Sequence, residues 1–472
     1  MDCCKPHKYD YDFAIIGSGS AAFAAAIKAT ELGKSVIIIE KGTLGGTCVN
    51  FGCVPSKTLI RAAEAKFKAE QIHFKGLASE NVNVDFKKLI EEKDQLVKSL
   101  QSGKYQSVLD KNQNIKLING EAKFHDRHHL SVSGQIISAD KILISTGSES
   151  VIPPITGIEN VPYLTSKTAF ELKELPKTLA VVGGGYIALE IAQIFSRLGT
   201  KVTIIQRSEI LFQEDNDISH WMTDYLRSEG IEILNLTTIN EIETSGDHIS
   251  VKLNRNEEQF SKDFSKILIA TGRKPNTKNL SLELAGIKKN TDGTIIVNEF
   301  GQTNIENIYA AGDVLSTPAL VYVAAYEGNL AAENAFTENS RKSNYDVIPW
   351  VIFSDPQIAG IGLNESQAKA SGIEYDVSIL ELTNVPRAIA ARDTRGFIKL
   401  LRQTGTDRLI GARIVAPEGA ELLMELSLMI KYQLPISEIA KELHPYLTLS
   451  EAVKLAAQTF DKDIKSLSCC AS

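Results

Sequence analysis

Excess positive charge is missing from this chain. Its 472 residues carry 51 Lys plus Arg against 58 Asp plus Glu, a net charge of −7. That excludes nucleic acid or an anionic membrane surface as its main partner. Long apolar runs are missing as well, and none approaches the roughly 18 residues of a membrane span. The stretch MDCCKPHKYDYDF lacks the apolar core of a signal peptide. A cytoplasmic protein is therefore expected. No segment is of low complexity. Hydrophobic residues make up 43% and charged residues 23%, an ordinary globular balance. At roughly 100–200 residues per domain, the length allows two to four domains.

Cysteine is sparse but ordered. The six cysteines fall at 3, 4, 48, 53, 469 and 470, in three close pairs. A secreted disulfide scaffold would be shorter and would scatter them. In a cytosolic chain, paired thiols point to redox or metal chemistry.

The apolar run 11–16 predicts a strand ending on Gly17-Ser-Gly19-Ser-Ala-Ala22. An Ala-rich helix over 21–32 and a strand over 35–39 follow, ending on Glu40. This is a βαβ unit with a dinucleotide fingerprint. Gly17 permits the tight turn, Gly19 admits a pyrophosphate, and Ala22 lets helix and strand pack closely. Glu40 stands where an acid bonds a ribose hydroxyl. The pattern returns at strand 178–182, Gly183-Gly-Gly185-Tyr-Ile-Ala188 and strand 201–205. Here the acid position holds Gln206, followed by Arg207. Arg207 would welcome a 2′-phosphate that an acid would repel, so NADPH is expected over NADH.

Charged helices are expected over 58–116 and short strands over 117–150. Another short strand, 307–311, runs into Gly312-Asp313. From about residue 345, strands at 347–353, 396–401 and 409–416 and helices to 459 predict an α+β unit. The fold class is thus α/β, with two Rossmann-like domains and a C-terminal α+β domain.

Gly45-Gly46-Thr47-Cys48-Val-Asn-Phe-Gly52-Cys53-Val-Pro55-Ser-Lys57 carries the chemistry. Pro55 suits a first helical turn, so both cysteines are expected at a helix N-terminus, whose positive end lowers a thiol pKa. Five residues of straight helix rise about 7.5 Å, too far for the roughly 4.4–6.8 Å of a disulfide. A bridge needs a distorted turn, which Gly52 permits.

These residues resemble the flavin disulfide reductases. Ser145-Thr146-Gly147, Ala270-Thr-Gly272-Arg-Lys-Pro-Asn276 and Ala311-Gly-Asp313 extend the likeness nearly end to end. The resemblance implies a discontinuous FAD domain over 8–150 and 273–344, an NADPH domain over 151–272 and a dimerisation domain over 345–465. A Cys-Cys tail follows at 466–472. It places Gly42, Gly46, Thr47, Lys57, Ala122, Thr146, Gly147, Gly272, Asp313 and Val321 at the cofactors. Lys57 would pair with Glu190 beside the flavin, and Tyr186 would cover the flavin until NADPH arrives. Cys53 would be the thiolate facing the flavin and Cys48 the thiol facing substrate. Active sites would be shared in a homodimer.

Two features narrow the likeness within the family. Adjacent Cα atoms lie about 3.8 Å apart, so a bridge between Cys469 and Cys470 is strained. Two neighbouring thiolates suit capture of a soft metal ion, or a disulfide relay. The second feature is His444-Pro-Tyr446-Leu-Thr-Leu-Ser-Glu451. Thiol-exchanging members carry His-Pro-Thr-x-x-Glu, and an ungapped count back from Glu451 reaches Tyr446. A phenol with pKa near 10 is a poor proton shuttle at neutral pH. This pattern, with Tyr105, Asn384-Val-Pro-Arg-Ala388 and Asp393-Thr-Arg-Gly-Phe-Ile-Lys399, looks like the mercuric reductases.

That resemblance implies that NADPH, through FAD, reduces Hg(II) to Hg(0) at Cys48 and Cys53. The partner chain's Cys469 and Cys470 would deliver the metal from small thiols, with Tyr105 and Tyr446 lining the site. The sequence departs from many such members in showing no Met-Thr-Cys-x-x-Cys domain. Cys3 and Cys4 either replace it in part or are accidental. Other readings are a thioredoxin-reductase-like relay enzyme with His444 as base, a lipoamide-dehydrogenase-like subunit, and a thiol metal-sequestering protein.

Overall fold

The computed structural model describes residues 9–79 and 81–464. Strands Tyr11–Ile16 and Val36–Glu40 are apolar almost throughout, because both faces of their sheet are covered: one by helices Ser20–Glu31 and Val321–Phe336, the other by strands Ala122–Phe124 and His129–Val132 with residues 280–295. They lie side by side in a parallel array ordered Ile115–Asn119, Val36–Glu40, Tyr11–Ile16, Gln135–Ile144, Ile308–Ala310. The ten-residue strand Gln135–Ile144 does two jobs. Residues 139–144 pair in parallel with Tyr11–Ile16, while residues 135–138 form an antiparallel hairpin with His129–Val132. Helix Ser20–Glu31 buries Ala21, Ala22, Ala25, Ala26 and Ala29, small side chains that let it lie close to its neighbours. Gly17 (φ +105°) turns the strand into that helix, and a Cβ there would sit 2.4 Å from the Ser145 carbonyl oxygen.

The second unit repeats the plan in a parallel sheet ordered Glu232–Leu234, Lys201–Ile205, Thr178–Val182, Lys266–Ile269. A meander of Thr237–Ser245, His248–Arg255 and Glu258–Phe264 adjoins it. The pairing of Ser148–Ser150 with Arg273–Pro275 marks where the chain leaves the first unit and returns to it.

The third unit is a five-stranded antiparallel sheet: Trp350–Ile352, Gln357–Gly362, Leu409–Ala416, Phe397–Gln403, Tyr375–Glu381. Helices Leu423–Tyr432, Ile436–Lys441 and Leu449–Gln458 contribute to its core. The strand expected over 347–353 contracts to Trp350–Ile352: Pro349 has no N–H to give the ladder, and the Phe353 amide donates to Glu190 instead. The meander and the edge strand Tyr375–Glu381 were not anticipated. Their charged and hydroxyl side chains mask the period-2 signal, and pairing partners settle them.

Buried ion pairs bind the third unit to the second. Arg197 holds Glu229 at 2.6 Å and Asp355 at 2.8 Å, and Lys399, fully buried, holds Asp215 at 3.0 Å. Among the described residues, no helix is long and apolar enough to cross a membrane.

Candidate active site

Cys48 and Cys53 stand on either side of a break in the helical path. Cys48 lies inside the short helix Gly46–Asn50, and Cys53 is the first residue of Cys53–Glu70. Only Cys53 therefore opens the Pro55 helix expected to carry both; Cys48 lies in the first turn of a separate five-residue helix. The Asn50 amide donates to the carbonyls of Leu44 (2.9 Å) and Gly46 (2.8 Å), and the Gln101 amide donates to Leu44 O and Asn50 Oδ1. These bonds clamp the loop that carries Cys48.

Both cysteines are free thiols. They polarise each other. A hydrogen bond from Cys48 pulls the Cys53 pKa down to about 7, and the Lys57 charge helps against burial. The same bond, with burial, pushes the Cys48 thiol upward. Cys53 is thus the thiolate of the pair and Cys48 its proton-bearing partner.

One turn on from Cys53, Lys57 Nζ lies 2.7 Å from Glu190 Oε2. Glu190 is buried on helix Tyr186–Leu198, and its other oxygen accepts from the Phe353 amide at 2.9 Å. The Phe353 ring lies 4.5 Å from the ammonium.

Both nucleotide fingerprints take the expected shape. Helices Ser20–Glu31 and Tyr186–Leu198 begin at Gly19 and Gly185, with no capping side chain and no acid in the first turn. A Cβ on either glycine would meet open space. Their first amides are free of side-chain competitors for an anion. Ala22 and Ala188 are buried against their sheets. Gly183 repeats the close turn of Gly17 against Ala270.

Beside the first helix lies a cavity of about 350 Å³ lined by Gly17, Glu40, Ala122 and Thr146 among others. Glu40 accepts from Ser18 Oγ and from the Gly42 amide, both at 2.6 Å, and Ser18 Oγ also takes the Gly45 amide. The fingerprint, the ribose acid and the redox loop are therefore one connected piece. The polar lining, the uncapped helix end and the acid fit an adenine dinucleotide.

Further along, Thr146 exchanges bonds with Asn276, whose amide N–H reaches Gly147 O at 2.9 Å. Gly272 O takes the Val151 amide at 2.9 Å. Asp313 accepts from Ser148 Oγ at 2.6 Å, and Ser148 in turn accepts from Arg273 Nε at 2.8 Å. Val321 opens the helix Val321–Phe336, and Thr47 is exposed on the redox loop. In the second unit, Gln206 donates to Ser208 Oγ, and Arg207 is exposed with no ion pair among the described residues.

Tyr186 is 46% exposed at the start of its helix; burial pushes its phenol pKa up, the Arg273 charge opposes this, and Asp313, Glu190 and Cys53 add to it. Tyr105 lies in a π-helical turn, Ser102–Gln106. Its ring meets Phe23 edge-on and lies against Gly45. Burial pushes its pKa up, and charge on Cys48 or Cys53 would raise it further. Such π-turns often mark functional positions.

The third unit holds the remaining candidates. Glu451 sits in the first turn of Leu449–Gln458 and accepts from the Leu447 amide. Tyr446 is 51% exposed. The His444 side chain is nearly buried, with Nε2 2.9 Å from Glu425 Oε1. Cys3, Cys4, Cys469 and Cys470 lie outside the described residues. Among the described residues, no three His, Cys, Asp or Glu side chains are placed to hold a metal. Cys48 and Cys53 form a two-thiol site.

Residues 11–328 match the family described as pyridine nucleotide-disulphide oxidoreductase, and residues 348–457 match its dimerisation domain. The chain belongs to this family. It is a pyridine-nucleotide oxidoreductase of the flavoprotein type.

The oxidoreductase is 45% identical over 465 residues to a mercuric reductase of Lysinibacillus sphaericus, covering 98% of this chain and 85% of that one. It is 42% identical to a mercuric reductase of Streptomyces lividans, covering 98% of each. Among solved structures it resembles the Cu(II) complex of the HOCl-induced flavoprotein disulfide reductase RclA from Escherichia coli. That likeness has a TM-score of 0.84, 31% identity, and coverage of 93% of this chain and 98% of that one.

Sequence reasoning missed Ser18, Ser148, Arg273 and Phe353. Ser18 and Arg273 lie inside motifs that were read for their neighbours. Ser148 directly follows Gly147. Phe353 carries no local signal, since its partners are far away in sequence.

Proposed function

We propose that this oxidoreductase reduces Hg(II) to Hg(0) with NADPH, as its nearly full-length likeness to mercuric reductases suggests. The first unit (8–150 and 273–344) holds FAD, the second (151–272) holds NADPH, and the third (345–465) forms the dimer. NADPH, when bound, would supply the two electrons and FAD would relay them. The overall reaction is NADPH plus Hg(II) to NADP⁺, a proton and Hg(0).

The residues divide the work. Gly17, Gly19, Glu40 and Asp313 hold the dinucleotide. Arg207 favours the 2′-phosphate of NADPH over NADH. Lys57, fixed by Glu190, keeps a positive charge next to Cys53, and Tyr186 shields the same cleft. Cys53 as thiolate and Cys48 as thiol are soft ligands for a soft ion. Cys48 deprotonates as the metal binds. Neutral mercury holds thiolates poorly and leaves.

The partner chain's Cys469 and Cys470 pass Hg(II) to this pair from small thiols, with Tyr105 and Tyr446 lining the path. If Cys3 and Cys4 serve as a first catch for metal, replacing both with Ser leaves turnover intact but slows metal uptake under thiol competition. Dimerisation is supported by the row Met424, Leu428, Tyr432, exposed at successive turns of Leu423–Tyr432, and by Leu443, which is 94% exposed.

One observation favours metal over disulfide as the substrate. Releasing a thiol needs a proton shuttle with a free ring nitrogen, and both His444 nitrogens have partners in its own unit, Glu425 Oε1 at 2.9 Å and the Glu442 carbonyl at 3.3 Å. Reducing a metal ion has no such need.

The test is NADPH oxidation with Hg(II) in excess thiol and, separately, with oxidised thioredoxin, glutathione and lipoamide, following mercury loss in parallel. Oxidation driven by Hg(II), with mercury leaving as vapour, is the expected result. Fast turnover on a disulfide with mercury only inhibiting would overturn it.

A further inference from the structure

The loop between strands Trp350–Ile352 and Gln357–Gly362 belongs to the third unit, yet it ends at the redox site. One face of helix Tyr186–Leu198 carries Glu190, Gln193 and Arg197, at i, i+3 and i+7. All three hold this loop. Glu190 Oε1 accepts from the Phe353 amide at 2.9 Å. Gln193 accepts from the Asp355 amide and donates to the Asp355 carbonyl, both at 2.8 Å. Arg197 Nη1 holds the Asp355 carboxylate at 2.8 Å. From the third unit, Arg395 Nη2 grips the same carboxylate at 3.1 Å.

This seating fixes where the Phe353 ring lies. The ring sits 4.5 Å from Lys57 Nζ, while Glu190 bonds that ammonium at 2.7 Å. Lys57 is thus held from two sides, by an anion and by a π face. Lys57 has 32% of its side-chain surface exposed, and its stem has several rotatable bonds. With Glu190 alone, the ammonium could swing about one oxygen. The ring removes that freedom by a cation–π contact on its open side.

We propose that Phe353 is a positioning residue for Lys57, through which the dimerisation unit sets the charge beside the flavin. The inference rests on the flavoenzyme reading above, and it concerns flavin electronics independently of the metal. A fixed positive charge near a flavin favours its reduced, more negative state. Loosening Lys57 therefore lowers the flavin midpoint potential.

The experiment measures the midpoint potential of the bound flavin in holoenzyme carrying Phe353→Leu, Phe353→Tyr, Lys57→Met and the Phe353→Leu/Lys57→Met pair. Phe353→Leu is expected to shift the potential to more negative values. Phe353→Tyr, which keeps the ring, is expected to restore it. In the Lys57→Met background, Phe353→Leu is expected to add no further shift. If Phe353→Leu does not accumulate, Phe353→Met, unbranched and without a π face, reads the same effect. A variant that loses thermal stability but keeps the wild-type potential overturns the proposal, as does a full additive shift without Lys57. Failure of the wild-type enzyme to reduce Hg(II) would remove the metal reading and leave this test intact. A wild-type protein that binds no flavin would remove both.

Discussion

His444 Nε2 lies 2.9 Å from Glu425 Oε1, and only 7% of the His444 side chain is exposed. The pair ties the segment before helix Leu449–Gln458 to helix Leu423–Tyr432. His444 Nδ1 lies 3.3 Å from the Glu442 carbonyl as well, so both ring nitrogens have partners within this unit.

The first prediction follows from that pair. His444→Asn is expected to leave Hg(II)-driven NADPH oxidation within about twofold of wild type, because a lost general base would cost about 10²–10⁴-fold. Tyr446→Phe, at the ungapped register position, is expected to lower the rate with thiol-bound mercury more than His444→Asn does. Steady-state kinetics on the two variants decide this. A hundredfold loss in His444→Asn would place the base back at His444.

A second prediction concerns pH. Cys53 is held down to about 7, chiefly by the Cys48 hydrogen bond. A thiol with a lowered pKa is deprotonated above that value and protonated below it. Metal capture by the reduced enzyme should therefore be level above pH 7 and fall roughly tenfold per unit below it. Cys48→Ser, which offers a weaker and differently placed donor, should move the midpoint upward. Stopped-flow capture of Hg(II) across pH 5–9, an interval of about four units around the reference thiol range, reads both effects.

The glycine turn supplies a third. Gly17→Ala puts a Cβ 2.4 Å from Ser145 O at φ +105°. Strain of about 1–3 kcal/mol is expected, and relief requires the turn to open away from the cavity. The purified variant should be pale, with a sub-stoichiometric flavin content by absorbance. Full yellow colour would show that the turn tolerates the methyl group.

The exposed apolar row gives a fourth. Leu428→Lys places a charge in the middle of Met424, Leu428 and Tyr432. Sedimentation should show the dimer weakened by at least a factor of about ten, the effect of 1.4 kcal/mol. Turnover should fall with protein concentration, since the proposed active site needs both chains. An unchanged dimer would mean that this row faces solvent.

The tail provides the fifth. Cys470→Ala is expected to lower turnover when mercury is presented with excess thiol. Turnover at wild-type rates under thiol competition would remove the tail from the delivery route.

Much of this protein was legible in its sequence. The two βαβ units, their glycine turns, the dithiol loop and the third α+β unit are local patterns, set by periodicity, turn chemistry and spacing over about thirty residues. Strands Tyr11–Ile16, Thr178–Val182, Lys201–Ile205 and Leu409–Ala416 have the bounds that the apolar runs predict.

Folding decided what brings distant residues together. Lys57 and Glu190 are 133 positions apart, and Glu190 and Phe353 are 163 apart. No window along the chain could join them. Cys48 and Cys53 are near neighbours in sequence, but only the broken helix path aims one thiol at the other and makes Cys53 the thiolate. His444 had two readings in sequence, because an ungapped count gives its position to Tyr446 and an insertion of two residues returns it to His444. The side chain took Glu425, since a nearly buried imidazole requires a hydrogen-bond partner and helix packing placed that carboxylate within reach.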